Sequence, residues 1–221
     1  MYGSKIRFKS RGGNHMARVR LMERDLKLIS FLESYEMPMT NLSISKLFYS
    51  QNNNLTSSIV IANRRLLKLC QGGYIEKMPP KYHERSVFYI GTRPNEKQLK
   101  HKIVQTDFLA ELYLHGFKIQ DLKFEYTLPE KYGIRCDMMV KVEYNHKTAY
   151  LFVECDLTKD INPRYQNLFN DIEKGLFKSK HKLIFVSLSN RRITDEQLRK
   201  QFVQLDTNLK TFDSLIWKFL V

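Results

Sequence analysis

The stretch IRCDMMVKVEYNHKTAYLFVECDL, residues 134–157, decides how the chain is read. Its side chains alternate at period 2, the mark of half-buried strands. Ile134, Cys136, Met138, Val140 and Val142 alternate with Arg135, Asp137, Met139 and Lys141. Further on, Ala149, Leu151, Val153, Cys155 and Leu157 alternate with Tyr150, Phe152, Glu154 and Asp156. The spacing predicts strands over Ile134–Val142 and Ala149–Leu157, turned at Asn145-His146, residue types suited to a short hairpin. If Tyr144 pairs with Lys147, Asp137 lies opposite Glu154 and Arg135 opposite Asp156. The acids then share one face and both cysteines take the other. A slip of one residue would undo this arrangement. Two carboxylates directly opposite repel unless a cation sits between them. That cation is either a divalent metal, Mg²⁺ or Mn²⁺ suiting carboxylate and water oxygens, or Arg135 or a nearby lysine.

Working outward, Lys118–Tyr126 reads as a strand preceding the pair, and Lys97–Leu114 as a helix before it with Leu99, Ile103, Phe108, Leu109 and Leu112 as candidate core. Downstream come a helix over Pro163–Phe177, with proline at a permitted first-turn position, and a buried strand over Lys182–Leu188. A helix capped by Thr194 runs through Phe202, and Leu215–Val221 is the expected last strand. Residues 94–221 thus predict helix, three strands, helix, strand, helix, strand: an α/β domain with a mixed sheet.

Residues 21–93 read differently, as three helices and a hairpin. The first helix covers Met22–Tyr35 with Leu26, Ile29 and Leu32 on one face. Thr40 caps a second carrying Leu42, Leu47 and Phe48. The third spans Thr56–Gln71, where Ile59, Ala62, Leu66 and Leu69 repeat at helical spacing and Gly72-Gly73 stops the helix. Its opposite face carries Ser57, Arg64, Arg65 and Lys68. Two strands, Tyr74–Lys77 and Val87–Ile90, flank a tip with Lys81, His83 and Arg85. Three short helices and a hairpin are the layout of a winged helix. A helix fits the DNA major groove and exposed cations reach phosphates and base edges, so these residues are the candidate contacts. Winged helices also dock proteins, and a basic helix face can simply be solvated.

Charge supports a polyanionic partner. The 221 residues hold 37 Lys and Arg against 23 Asp and Glu, a net of +14, which favours nucleic acid. The excess is concentrated in residues 1–97, where 17 basic side chains face 7 acidic ones. Residues 1–20 read as a flexible basic arm, with Lys5, Arg7, Lys9, Arg11, Arg18 and Arg20 and no acid, suited to phosphates or a minor groove. No apolar run reaches the ~18–20 residues of a membrane helix. The basic N-terminus lacks the apolar stretch of a signal peptide. Cys70, Cys136 and Cys155 form no CxxC pair and read as reduced thiols. A cytoplasmic location without membrane contact is expected. No serine or cysteine triad, phosphate loop or zinc spacing is visible, and His101 and His115 read as surface or structural.

The helix, three strands, helix, strand order, with Asp137 on the second strand and Glu154 on the third, resembles the PD-(D/E)XK nuclease-like fold. That resemblance implies a metal held by the acids and a lysine two residues after the Glu. Asp156 stands at that lysine's position, which disfavours cleavage; Lys159 or Lys174 could substitute only from elsewhere. The whole arrangement is similar to the replication-relaxation family of plasmids and mobile elements. The residues carrying this are Arg64-Arg65-Leu66-Leu67-Lys68-Leu69 with Gly73-Tyr74-Ile75, then Arg135-Cys136-Asp137 and Phe152-Val153-Glu154-Cys155-Asp156-Leu157-Thr158-Lys159. Cys136 replaces the proline common before the Asp.

The expectation is therefore an N-terminal winged helix followed by a PD-(D/E)XK-like mixed-sheet domain. The resemblance implies an accessory protein of replication or mobilisation. It binds double-stranded DNA and recruits a relaxase or replication initiator, and self-association is left open. No cofactor is required, Mg²⁺ or Mn²⁺ being the candidate ion at Asp137 and Glu154. The alternatives are an active metal-dependent endonuclease using Asp137, Glu154 and Asp156, and a transcriptional regulator using the winged helix alone.

Overall fold

The computed structural model describes residues 19–50, 54–79, 83–155 and 160–220. The chain divides into two compact units between Ile103 and Val104.

In the first unit, helix α1 covers Glu23–Tyr35 and strand β1 covers Met39–Thr40. Helix α2 begins at Asn41–Ile44 and widens into a π-helical turn over Ser45–Tyr49. Helix α3 spans Leu55–Gln71, and strands β2 and β3 cover Glu76–Lys77 and Val87–Tyr89. Local chemistry sets the helix starts. The Thr40 hydroxyl oxygen accepts the Ser43 N–H at 3.1 Å, and the Asn54 side chain accepts the Ser57 N–H at 2.8 Å, each satisfying an orphan first-turn donor. Gly73, at φ +70°, takes the left-handed position after α3 that a Cβ would strain. The three strands form an antiparallel sheet in the order β1-β3-β2, with Met39 and Lys77 flanking Phe88. Strand β1 escaped the sequence reading because two residues show no period.

The unit's core joins Leu28, Ile29 and Leu32 of α1 to Met39, Ile44 and Tyr49, to Ala62, Leu66 and Leu69 of α3, and to Ile75 and Phe88. Two helix faces differ from expectation. On α1 the buried stripe is Asp25, Leu28, Ile29 and Leu32, and Leu26 is exposed. On α3 Ser58 is buried where Ile59 was expected, because its hydroxyl donates to the carbonyls of Tyr49 and Asn54.

Helix α4, Glu96–Leu114, leads into the second unit. Strands β4 (Lys118–Thr127), β5 (Arg135–Tyr144) and β6 (Lys147–Glu154) are followed by α5 (Tyr165–Glu173), β7 (Lys182–Leu188), α6 (Glu196–Gln201), β8 (Phe202–Leu205) and α7 (Asp213–Leu220). The five strands lie in sequence order; β4, β5 and β6 are antiparallel, and β6, β7 and β8 are parallel. This is a mixed α/β architecture. Asn145 and His146 both take positive φ, 47° and 62°, the pattern of a type I′ turn. That turn locks Tyr144 against Lys147, and the register runs unbroken to Met138 against Val153.

The aligned residues Met139, Phe152, Phe185 and Phe202 form one row across the sheet. They pack beneath Tyr165, Leu168 and Phe169 of α5 and Leu198 of α6. On the opposite side, Phe117 stacks on Tyr144 at 4.3 Å and meets Phe219 of α7 edge-on at 5.0 Å.

Four expectations are corrected. Leu215–Val221 is not a strand: residues 213–220 form α7, burying Leu215 and Phe219 four residues apart. Periodicity cannot separate strand from helix in so short an apolar run. The last strand is instead β8, beginning at Phe202 where the preceding helix was expected to end, and that helix, α6, is capped not by Thr194 but by Asp195, whose carboxylate accepts the Gln197 and Leu198 N–H groups. Finally, Cys136 does not lie on a face away from the acids. It belongs to the buried cluster of Met139, Phe152 and Tyr165, and burial followed by the charges of Glu154 and Asp137 drives its thiol pKa up. At this point Glu125 adopts φ +52°, and the β4–β5 ladder skips from Phe124–Met138 to Tyr126–Cys136.

Among the described residues no helix is long and apolar enough to cross a membrane.

Candidate functional site

Helix α3 presents Ser57, Arg64 and Lys68 to solvent, together with Asn63. Val60 and Leu67, 45% and 53% exposed, lie on the same outer surface. The face therefore combines two cations, small polar groups and two apolar side chains.

Arg65 does not belong to it. Its side chain is only 15% exposed and turns inward to Asp25, which is wholly buried. Arg65 Nε donates to both carboxylate oxygens at 2.9 and 3.0 Å, and Nη2 donates to Oδ2 at 2.5 Å. Nη2 also donates to the Arg20 carbonyl at 2.5 Å. The same carboxylate accepts the Met22 N–H at 2.6 Å and the Tyr49 hydroxyl at 3.3 Å. The bond to Asp25 raises the Arg65 pKa. Burial, then the Asp25 charge, raises that of the Tyr49 phenol. A basic residue expected to contact phosphate is thus the internal tie among α1, the π-helical turn and α3. The available signal was Asp25 itself, an acid in step with the Leu28, Ile29 and Leu32 stripe.

The remaining candidate contacts are placed as follows. Arg20 and Arg85 are exposed and His83 is half-buried. The His83 Nδ1 accepts the Arg85 N–H at 3.0 Å, a local turn in the hairpin. Arg18 and Lys81 lie outside the described residues.

In the second unit, Asp137 and Glu154 are half-buried on adjacent strands, one position beyond the Met138–Val153 pair. Each carboxylate accepts from a neutral donor. Asp137 Oδ2 accepts the Cys155 N–H at 2.6 Å, and Glu154 Oε1 accepts the Tyr165 hydroxyl at 2.5 Å. Tyr165 is fully buried. Burial, then the Glu154 charge, raises its phenol pKa so that it remains a donor. Arg135, one candidate for the neutralising cation, instead pairs with Glu125 at 3.1 Å. Tyr165 was missed because a tyrosine at the start of an amphipathic helix reads as core.

Asp156 and Lys159 lie outside the described residues. Among the described residues no cluster of three or more His, Cys, Asp or Glu is arranged to hold a metal ion. Mg²⁺ can bind through two carboxylates and water, but here one oxygen of each carboxylate is already engaged by a protein donor. His115 fits a structural role, stacked on Phe212 at 4.5 Å.

Comparison of the chain with family models, with curated proteins and with solved structures returns no match.

Proposed function

We propose that this chain is a DNA-binding accessory protein of plasmid or mobile-element replication or mobilisation. It binds duplex DNA through a winged helix and brings a relaxase or replication initiator to its origin. The observation that carries the reading is the first unit's topology. Three helices are interleaved with a β1-β3-β2 antiparallel sheet, with Arg64 and Lys68 exposed on the third helix. In a winged helix that helix enters the major groove, and exposed cations beside small polar groups suit phosphate and base-edge contacts. The net charge of +14 supports the same partner.

The test is binding to a duplex fragment at several salt concentrations. The double variant Arg64→Ala/Lys68→Ala should bind more weakly at every sequence. Its salt dependence should flatten by a slope of about 2, about 1 per lost phosphate contact. Unchanged affinity and slope in a folded variant would remove α3 as the contact surface.

A second reading, a metal-dependent endonuclease of the PD-(D/E)XK type, is favoured by one observation: Asp137 and Glu154 occupy neighbouring strand ends on one side of a mixed sheet. Asp156 at the position of the family's lysine disfavours turnover. The second unit is then a nuclease-like scaffold retained for assembly or for a second contact.

A further inference from the structure

Among the described residues, one buried side-chain polar atom has no hydrogen-bond partner, the Oγ of Ser187. Ser187 is fully buried near the carboxyl end of β7, in register between Glu154 of β6 and Gln204 of β8. It lines a cavity with Asp160, Ser189, Arg191, Arg192 and Thr194. A buried hydroxyl left without a partner bears its full desolvation cost, so such an atom calls for a partner from outside the chain.

The lining says what kind. Asp160 is the one acid among the described lining residues, and its carboxylate is occupied, accepting the Ile161 N–H and both the N–H and the hydroxyl of Thr194. The Ser189 oxygen accepts the Arg191 N–H, leaving its hydroxyl proton to donate. Arg191 and Arg192 are exposed, and Arg192 makes no ion pair among the described residues. The chemistry offered is two hydroxyl donors and two guanidinium groups against one engaged carboxylate, a donor-rich set with net positive charge. Guanidinium and hydroxyl groups together match the several acceptor oxygens of a tetrahedral oxyanion. The interior volume of about 30 Å³ admits little more than one oxygen-sized group, so the body of such a ligand lies at the mouth, where the arginines are.

We propose that this cavity is a phosphate-binding site, with one phosphate oxygen seated on Ser187 and the others held by Arg191 and Arg192. The site lies at the carboxyl ends of parallel strands, where open α/β sheets bind their ligands. It does not depend on the reading of α3.

The test titrates the full chain with inorganic phosphate, followed by calorimetry and ³¹P NMR. Binding should saturate and weaken about tenfold or more, at least 1.4 kcal/mol, in both Ser187→Ala and Arg192→Gln. Ser187→Ala should fold at least as well as the parent, because its Oγ has no partner among the described residues. Equal binding by the parent and both variants, as expected of a cavity that holds only water, overturns the proposal, as does the absence of saturable binding at millimolar phosphate. Titrating the same variants with a short duplex then distinguishes the source. A parallel loss assigns the phosphate to the nucleic-acid backbone. Intact duplex binding with lost phosphate binding assigns it to a free phosphate. Because Arg64 and Lys68 are unchanged in these variants, failure here is separable from failure of the α3 reading.

Discussion

Arg65 and Asp25, forty residues apart in sequence, form a two-pronged ion pair inside the first unit, with Nε 2.9 Å from Oδ1 and Nη2 2.5 Å from Oδ2. The carboxylate is fully buried and the guanidinium nearly so. Removing one partner of a buried pair leaves the other charge desolvated and uncompensated. Asp25→Ala should therefore destabilise the chain by about 3 kcal/mol, read as a lower urea midpoint. Arg64→Ala, on the exposed neighbour, should stay within about 0.5 kcal/mol. Equal stabilities for the two variants would contradict the pairing. Arg65→Ala should lower stability and leave the salt slope of DNA binding unchanged.

The Tyr165 hydroxyl donates to Glu154 from a fully buried position. Tyr165→Phe keeps the ring's packing against Phe169 and Phe202 and deletes the donor. The expected cost is about 1–3 kcal/mol, that of a charge-assisted bond whose acceptor is left unsatisfied. A thermal midpoint equal to the parent's would show that water replaces the hydroxyl without loss.

Asp160 joins the segment before α5 to Thr194, just ahead of α6. The Thr194 hydroxyl bond is the main reason its carboxyl pKa lies below the ordinary value of 3.8. A depressed folded-state pKa contributes stability that is complete above the unfolded value and is lost as pH falls through the folded one. The clasp should thus be closed at neutral pH and open only below about pH 4. Exchange of the Thr194 amide proton, followed by NMR from pH 7 to pH 3, should show protection lost in that acid range. Asp160→Asn should abolish the pH dependence; protection that is insensitive to pH in the parent would refute the assignment.

Supercoiled plasmid incubated with the chain and Mg²⁺ or Mn²⁺ should remain largely intact. The resemblance puts Asp156 where a lysine would stabilise developing charge, and such a donor accounts for about 3 kcal/mol of barrier. Rapid metal-dependent nicking, abolished by Asp137→Ala or Glu154→Ala, would move the endonuclease reading to first place.

How much of this was legible follows from the range of the forces involved. The β5–β6 register could be read because Asn145 and His146 dictate a two-residue loop, and a loop of fixed length leaves one pairing. From that register the neighbourhood of Asp137 and Glu154 followed. The cap at Thr40 and the end of α3 at Gly72-Gly73 are likewise interactions within a few residues; the Asn54 cap is as local but lay in a stretch read as a turn. Strand β1 was too short to show a period, and α7 too short to distinguish its period from that of a strand.

By itself the sequence determined most of the longer elements, the cap at Thr40, the β5–β6 register and the basic character of the first half, since each depends on neighbours along the chain or on composition alone. Tertiary structure decided which charges are used up. Arg64 and Arg65 are adjacent and chemically alike, yet one faces solvent and the other neutralises a carboxylate forty positions away. It also decided that Tyr165 answers Glu154, that Cys136 joins the acids' side of the sheet, and that Ser187 finds no partner among the described residues. A hydrogen bond or ion pair across a core depends on where two distant segments meet, and packing of the whole unit, not local periodicity, sets that meeting point.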